Sequence, residues 1–399
     1  MLPLFLIVVV DLIGFGIIIP LLPFYAEHFD ATPATVGLLM ATYSLTQFLA
    51  APMWGRLSDR VGRRPVLLLS LGGAVFCYLW LAFAYELWVL FAARALGGFM
   101  AGNISAAFAY VADTTTPANR AKGMGLIGAA FGLGFVAGPA IGGILAGPDP
   151  ANADFQSPAL AAAGLSLLAL ILAVFLLGES LSAEIRARIA AQPRRQRWNQ
   201  FKEALRRPNV GLLIAATFLA TFVFAGMEAT FAMWTERRFG WGPEQNGYVF
   251  ALVGILGAAI QGGLMGRLAR RFGEARLIVQ GALALGVGLA LIPFADSLPT
   301  LLLAMVIASY GFSVTTPALN SLISLQVSDD EQGGVLGVGR SAATLARVMG
   351  PAWAGFLFAT LGRDWPFFAG AAVMVVTLFL GLRIVRATAM TKESKAHRD

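Results

Sequence analysis

Two carboxyl groups stand where carboxyl groups are costly: Asp11 inside an apolar run from 2 to 25, and Glu228 nineteen residues into a run from 209 to 235. At about 1.5 Å per residue, Asp11 lies about 15 Å along its segment, near the middle of about 30 Å of hydrocarbon. A charge at that depth is expensive unless it faces water or a partner, and the chemistry open to such an acid is to take up and give back a proton. Glu228 fits either a second proton carrier or a counter-charge for a cationic substrate. Arg94, near the start of the run 87–111, is the lone base inside the apolar runs of the N-terminal half, and Asp11 is the carboxylate it is expected to pair with. The plainer readings are a hydrogen-bonded structural acid in each case, and for Arg94 a guanidinium satisfied by backbone carbonyls.

Other polar and aromatic side chains interrupt the apolar runs: Phe15, Gln47, Asn103, Tyr110, Phe224, Phe231, Gln261, Tyr310 and Asn320. A large apolar chamber with a few polar anchors suits a lipophilic compound, and each of these residues equally suits a bridge between helices. The remaining chemistry is sparse. His28 and His397 fall in a loop and a tail, and the single cysteine, Cys77, excludes an internal disulfide and a multi-cysteine metal site. No nucleophile is placed with a base, so the chain is not expected to be an enzyme. No phosphate-cradling Gly-x-x-x-x-Gly-Lys loop is present, so the expected energy source is a proton gradient, without ATP or another cofactor.

The elements that must position these residues follow from composition. Of 399 residues 58% are apolar and 13% charged, with a mean hydropathy of +0.73, values that belong in a bilayer. Twelve segments of membrane-spanning length are expected at about 2–25, 33–54, 65–85, 87–111, 120–146, 157–178, 209–235, 244–265, 275–295, 298–322, 333–360 and 364–386. The first is read as a span rather than a cleaved signal, because it lacks a positive leader and carries Pro20-Leu-Leu-Pro23. Alternate loops hold 23 Lys and Arg on one side and three on the other, Arg237, Arg238 and Arg363. The positive-inside rule then makes both termini and the central loop cytoplasmic, and the net charge of +7 becomes a statement of topology. The basic run Arg186 to Arg207 also admits a nucleic-acid reading, disfavoured beside a membrane.

The charged stretch Gly55-Arg-Leu-Ser-Asp59-Arg60-Val-Gly62-Arg63-Arg64 recurs more weakly at Gly266 to Arg276, 211 residues later. Gly138-Pro139 recurs as Gly350-Pro351 at 212, and Phe29 as Phe239 at 210. Three landmarks at nearly one offset imply two similar halves, 1–178 and 209–386, joined by a basic linker 179–208 and followed by a tail 387–399, with a substrate cavity between them. The glycine ladder Gly134, Gly138, Gly142 bares one helix face for close packing, and Pro139 adds a kink.

With these residues in hand the chain resembles the major facilitator superfamily over its whole length. Gly55 to Arg64 looks like the superfamily's loop between spans two and three, and Arg94-Ala-Leu-Gly-Gly98 resembles its fourth-span basic motif. The run Gly134-Phe-Val-Ala-Gly138-Pro139-Ala-Ile-Gly142-Gly143 is similar to the fifth-span motif of drug/proton antiporters. Val-Asp11-Leu-Ile-Gly-Phe-Gly16, Ala-Asp113-Thr-Thr-Thr-Pro117 and Arg237-Arg-Phe-Gly-Trp241 bring it closest to the tetracycline/proton antiporters. The resemblance implies an all-α fold of two six-helix bundles and a monomer of the bacterial inner membrane. That protein would exchange protons for a small lipophilic, drug-like substrate by alternating access. It makes Gly55, Asp59, Arg60, Gly62, Arg63, Arg64 and Asp113 a gating network, with Arg340 and Arg347 a cluster at the same end of the eleventh span. Gly134 to Gly143 become a leak-tight seam that does not touch substrate. Tetracycline exporters carry an acid in span three, a histidine in span eight and an acid in span nine, where this chain has Cys77, Gly257 and Ala284. These departures put tetracycline itself in question as the substrate and leave a tetracycline-type or multidrug exporter as the reading. The alternatives are a proton-coupled importer of a metabolite and a non-transporting membrane receptor or scaffold.

Overall fold

An apolar run surrounded by hydrocarbon must satisfy its backbone within itself, and only a helix does so without a partner strand. In a computed structural model of the chain every described element is helical. The structure describes residues 2–181, 208–326 and 329–396. Most of the expected linker, including Arg186 to Arg207, and the last three residues of the tail lie outside them.

Among the described residues eleven helices are long and apolar enough to cross a membrane, and a shorter one, Leu2–Ile18, precedes them. These are the twelve expected spans. The second is Pro33–Val61, the third Arg63–Ala82, the fourth Leu87–Thr114, the fifth Pro117–Ala146 and the sixth Gln156–Leu176. The seventh is Pro208–Phe239, the eighth Pro243–Phe272, the ninth Glu274–Leu291, the tenth Leu298–Leu325, the eleventh Asp329–Leu361 and the twelfth Trp365–Ala396.

The ends differ from expectation in instructive ways. The first span stops at Ile18 and resumes as a short helix Leu22–Glu27, because Pro20 and Pro23 lack the amide hydrogens a continuous helix would use. The charged stretch from Gly55 is no loop. The second span continues through it to Val61, and the turn is the single residue Gly62 at φ 119°, in the left-handed region that favours glycine. The eighth span likewise carries its arginines on helix to Phe272 and turns on Gly273 at φ 77°. Two interruptions were not foreseen: the fourth span breaks at Gly102-Asn103, and the eighth passes through a π turn at Ile260–Leu264, around Gly262-Gly263.

Lipid contact is written on the surface. On the sixth span Leu160, Leu167, Leu168, Ile171, Val174 and Phe175 are exposed along one face, an arrangement that water would penalise and acyl chains accept.

The chain falls into two compact units, Met1–Arg194 with Phe231–Ile255, and Arg195–Thr230 with Leu256–Asp399. In the first, span 1 packs on spans 5 and 6, span 3 on spans 4 and 6, and span 2 on span 4. In the second, span 9 packs on spans 10 and 12, the counterpart of span 3 on spans 4 and 6. Small residues let backbones meet. A Cβ on Gly138 would stand 2.5 Å from Gly16 Cα, and one on Gly226 would stand 3.2 Å from the Gly350 carbonyl oxygen. The same contact is thus made twice, by residues 210 and 212 positions apart.

Candidate functional site

Three polar clusters interrupt the apolar packing, and in each a close helix approach sets the geometry. The first surrounds Asp11. Gly14, one turn on, lets span 1 approach span 6, with its absent Cβ 3.2 Å from the Ala162 carbonyl oxygen. Ser166 is thereby placed to donate to Asp11 Oδ1 at 3.1 Å. Gly98 does the same for spans 4 and 2, where a Cβ would stand 2.8 Å from the carbonyl carbon of Tyr43. One turn earlier the buried Arg94 guanidinium lies over the Tyr43 ring, 4.2 Å from its centroid, a cation–π contact in a dry setting. Phe15 packs on the other side of Tyr43 with ring centroids 5.1 Å apart. Tyr78 and the buried Cys77 complete the group, within electrostatic reach of Arg94 and Tyr43. Asp11 is engaged by Ser166, and Arg94 lies over Tyr43 in the same cluster. Aromatic faces and hydroxyls hold this cluster together.

The second cluster lies in the other unit. Glu228 is buried, and Arg347 Nη1 approaches its Oε2 at 3.9 Å. The approach of Gly226 to Gly350 sets this distance, because each charged residue lies within a turn of one of these glycines. Arg347 therefore stands beside Glu228. Arg340 is exposed. Phe224 stacks on Phe312 at 3.9 Å, and Phe222 packs on Trp353 at 4.8 Å, giving the same helices an aromatic wall.

The third cluster gathers at the arginine-rich ends. Arg63, with a side chain only 6% exposed, donates to Asp59 Oδ1 at 2.6 Å and Ser58 Oγ at 2.7 Å from Nη1, and to Asp113 Oδ2 at 3.0 Å from Nε. A buried guanidinium is tolerable when carboxylates meet it on two sides. Arg64 donates to the Val174 carbonyl at 2.7 Å. Gly62 makes the turn, Gly55 faces Ser105, and Arg60 is exposed to one side of the network.

The glycine face of span 5 fits two neighbours. Gly134, Gly138 and Gly142 meet the backbone of Leu12, Gly16 and Ile17 in span 1; Gly143 and Pro139 meet Pro243 and Gly247 at the start of span 8. Beside this seam Glu27, past the end of span 1, accepts from Arg237 Nη2 at 2.7 Å. Burial pushes the Glu27 carboxyl up to about 7, with Arg237 pulling it down and Glu236 adding to the rise.

The suggested cavity residues separate. Gln47 donates to the Ala101 carbonyl at 3.3 Å, and Asn103 to Ser70 Oγ, so both bridge helices. Tyr110 is packed in the apolar core with Leu4, Trp54 and Val111. Phe231 is fully buried, edge-on to Phe250 at 5.5 Å. Only Gln261, in the π turn, and Asn320 are exposed, with Tyr310 half-buried.

The model of the Major Facilitator Superfamily matches residues 4–265 and 257–399, the whole length of the chain but its first three residues. The chain belongs to that superfamily. Among its relatives, this major facilitator is 36% identical over 383 residues to tetracycline resistance protein class C of Escherichia coli, covering 93% of each. It is 31% identical over 373 residues to multidrug resistance protein 2 of Bacillus subtilis (strain 168), covering 93% of this chain and 91% of that one. The solved structure of the human organic anion transporter MFSD10 (TETRAN) superposes with a TM-score of 0.71 at 29% identity, over 95% of this chain and 98% of that one. The protein is a multi-pass membrane protein of a transporter family, as its motifs implied.

Viewed as a facilitator, the chain shows what its sequence concealed. Ser166, Tyr43 and Tyr78 sit in the polar clusters, yet none is a charge deep in a predicted span. Serine and tyrosine are common in apolar helices, and their role becomes visible only when a distant helix is brought alongside. A glycine within one turn of Asp11, Arg94, Glu228 and Arg347, at 14, 98, 226 and 350, was the available signal.

Proposed function

We propose that this facilitator is a proton-coupled antiporter that exports a small lipophilic compound of drug type by alternating access, with both termini on the cytoplasmic side of a bacterial inner membrane. The observation that carries the reading is the pair of acids inside the spans, each engaged by a group on a different helix: Asp11 by Ser166 of span 6, and Glu228 by Arg347 of span 11. Acids at such depth are kept for proton or ion traffic. An acid whose partner lies on another helix changes its environment whenever the helices move. The likeness to tetracycline and multidrug resistance proteins supports drug export. Energy comes from the proton gradient, and the protein works as a monomer.

Cys77 bears on the substrate. It lies in the Arg94 cluster, where the tetracycline exporters the sequence resembles carry an acid, so a thiol here stands in place of a charge. This favours substrates other than tetracycline, and a lipophilic anion belongs on the list to be tried beside cations.

The test is purified protein in liposomes with an imposed pH gradient, offered cationic dyes, antibiotics, lipophilic anions and neutral metabolites. Proton movement into the substrate-loaded compartment, opposite to the substrate, triggered by a drug-like compound and lost in Asp11→Asn and Glu228→Gln, is the expected result. Cotransport of a metabolite with protons would replace export by import, and full coupling in both neutralised variants would remove the coupling scheme.

A further inference from the structure

The helix that begins span 3 starts badly. Its first two residues are Arg63 and Arg64, cations at the positive end of a helix dipole, and the preceding Gly62 has no side chain to cap it. The missing acceptor arrives from 116 positions away. The sixth span ends at Leu176, and the chain then turns so that Glu179 Oε1 accepts from the Arg63 amide at 2.9 Å and Oε2 from the Arg64 amide at 3.2 Å. The same Oε1 accepts from Leu181 N at 3.0 Å, which folds the strap onto itself. Ser180 Oγ donates at 3.2 Å to Asp113 Oδ2, the oxygen that also receives Arg63 Nε.

The second half shows that the arrangement is particular to the first. There the equivalent turn, Gly273, leads into a helix whose first residue is an acid, Glu274, so the dipole is met from within the chain. The position 211 residues after Glu179 is Met390. One half carries its own anion at this helix start and the other borrows one from the end of span 6.

We propose that Glu179 and Ser180 are positioning residues, a clasp through which the segment after the sixth span holds the Gly62 turn and keeps Arg63 seated between Asp59 and Asp113. Release of the clasp uncaps span 3 and frees Asp113 from one of its two donors, so movement of residues 177–181 reaches the gating network directly. The clasp rests on the gating reading of that network, not on the identity of the substrate or on proton coupling.

The experiment is hydrogen exchange on the full-length protein in lipid nanodiscs, followed by uptake into liposomes. In Glu179→Ala the amides of residues 63 to 66 should exchange about 2- to 30-fold faster, the range spanned by loss of a helix cap. Glu179→Asp should restore part of the protection, Glu179→Gln should fall between, and amides of spans 9 and 10 should be unchanged. Ser180→Ala should add little in an Asp113→Ala background, because both remove the same bond. In uptake, Glu179→Ala should change the maximal rate with KM within about twofold. Unchanged exchange at 63 to 66 would show that the carboxylate does not cap the helix. Faster exchange with a wild-type maximal rate would show a static cap without control of the gate. Either result overturns the proposal, and neither depends on whether protons are coupled.

Discussion

Replacing Gly138 by alanine puts the glycine seam under a direct load. The new methyl would stand 2.5 Å from Gly16 Cα and 2.8 Å from the Ile13 carbonyl oxygen. These are backbone atoms and cannot swing aside as a side-chain tip does. Carbon atoms pack at about 3.5–4.0 Å, so spans 1 and 5 must part by about 1 Å. Overpacking of this kind costs about 1–3 kcal/mol. At about 1.4 kcal/mol per factor of ten, that shifts the balance of closed and parted seams about 5- to 150-fold. The same helix supplies its control: a methyl on Gly125 or Gly128 meets nothing within 4 Å. There alanine should be neutral or slightly stabilising, since glycine inside a helix costs about 0.5–1 kcal/mol relative to alanine. Thermal unfolding in detergent and passive proton leak in liposomes measure the two consequences. Gly138→Ala should lower the unfolding temperature and raise the leak, while Gly125→Ala and Gly128→Ala do neither. A Gly138→Ala protein with wild-type stability and a tight membrane would mean that the seam is not closed against span 1, and the argument from backbone contact would fail.

The ion pair near the seam predicts a pH dependence. The Glu27 carboxyl is raised from 4.5 to about 7, so its contribution to stability is fully present below about 4.5 and lost as pH rises through 7. At about 1.4 kcal/mol per pH unit between 4.5 and about 7 the loss is on the order of 3–4 kcal/mol by pH 8, and a thermal-shift series from pH 5 to 8 should flatten in Glu27→Gln. The Glu228 to Arg347 approach of 3.9 Å, with Arg347 38% exposed, should give a coupling below about 1 kcal/mol in a double-mutant cycle. A value of several kcal/mol would indicate a much tighter pair. At the gating network, Asp113→Ala leaves a 6% exposed guanidinium with one carboxylate fewer and should cost about 2–3 kcal/mol in unfolding experiments, while Arg60→Ala should cost under about 0.5.

The spans were legible because the bilayer enforces them: no other arrangement of twelve apolar runs satisfies the backbone, and the helices stand where hydropathy placed them. Their ends were harder to read. Residues 55–61 are charged, and charge reads as loop, yet a helix leaving the membrane continues until something breaks it, here Gly62. The interruption at Gly102-Asn103 had a glycine to announce it, but glycine is too frequent in this chain for one to count. Among the candidate residues, charges were easy to find and their partners were not. The hydrogen bond from Ser166 to Asp11 joins residues 155 apart, and nothing in the local pattern around Ser166 sets it apart from the other small polar residues of its helix. Tyr110 and Phe231 looked like cavity residues because they are aromatic, a property that serves a packed core equally well.

The π turn in the eighth span explains an irregularity in the chain's internal arithmetic. Pro33 and Pro243 open spans 2 and 8 at an offset of 210, while Gly62 and Gly273 close them at 211. The eighth span therefore holds one residue more than its counterpart between the same two landmarks. A π turn takes one more residue per turn than an α-helix, so Ile260–Leu264 can absorb the surplus where it stands, leaving Pro243 above it and the Gly273 turn below it in their original places. Those five residues take up a one-residue difference between the two halves, so the helix keeps both of its ends.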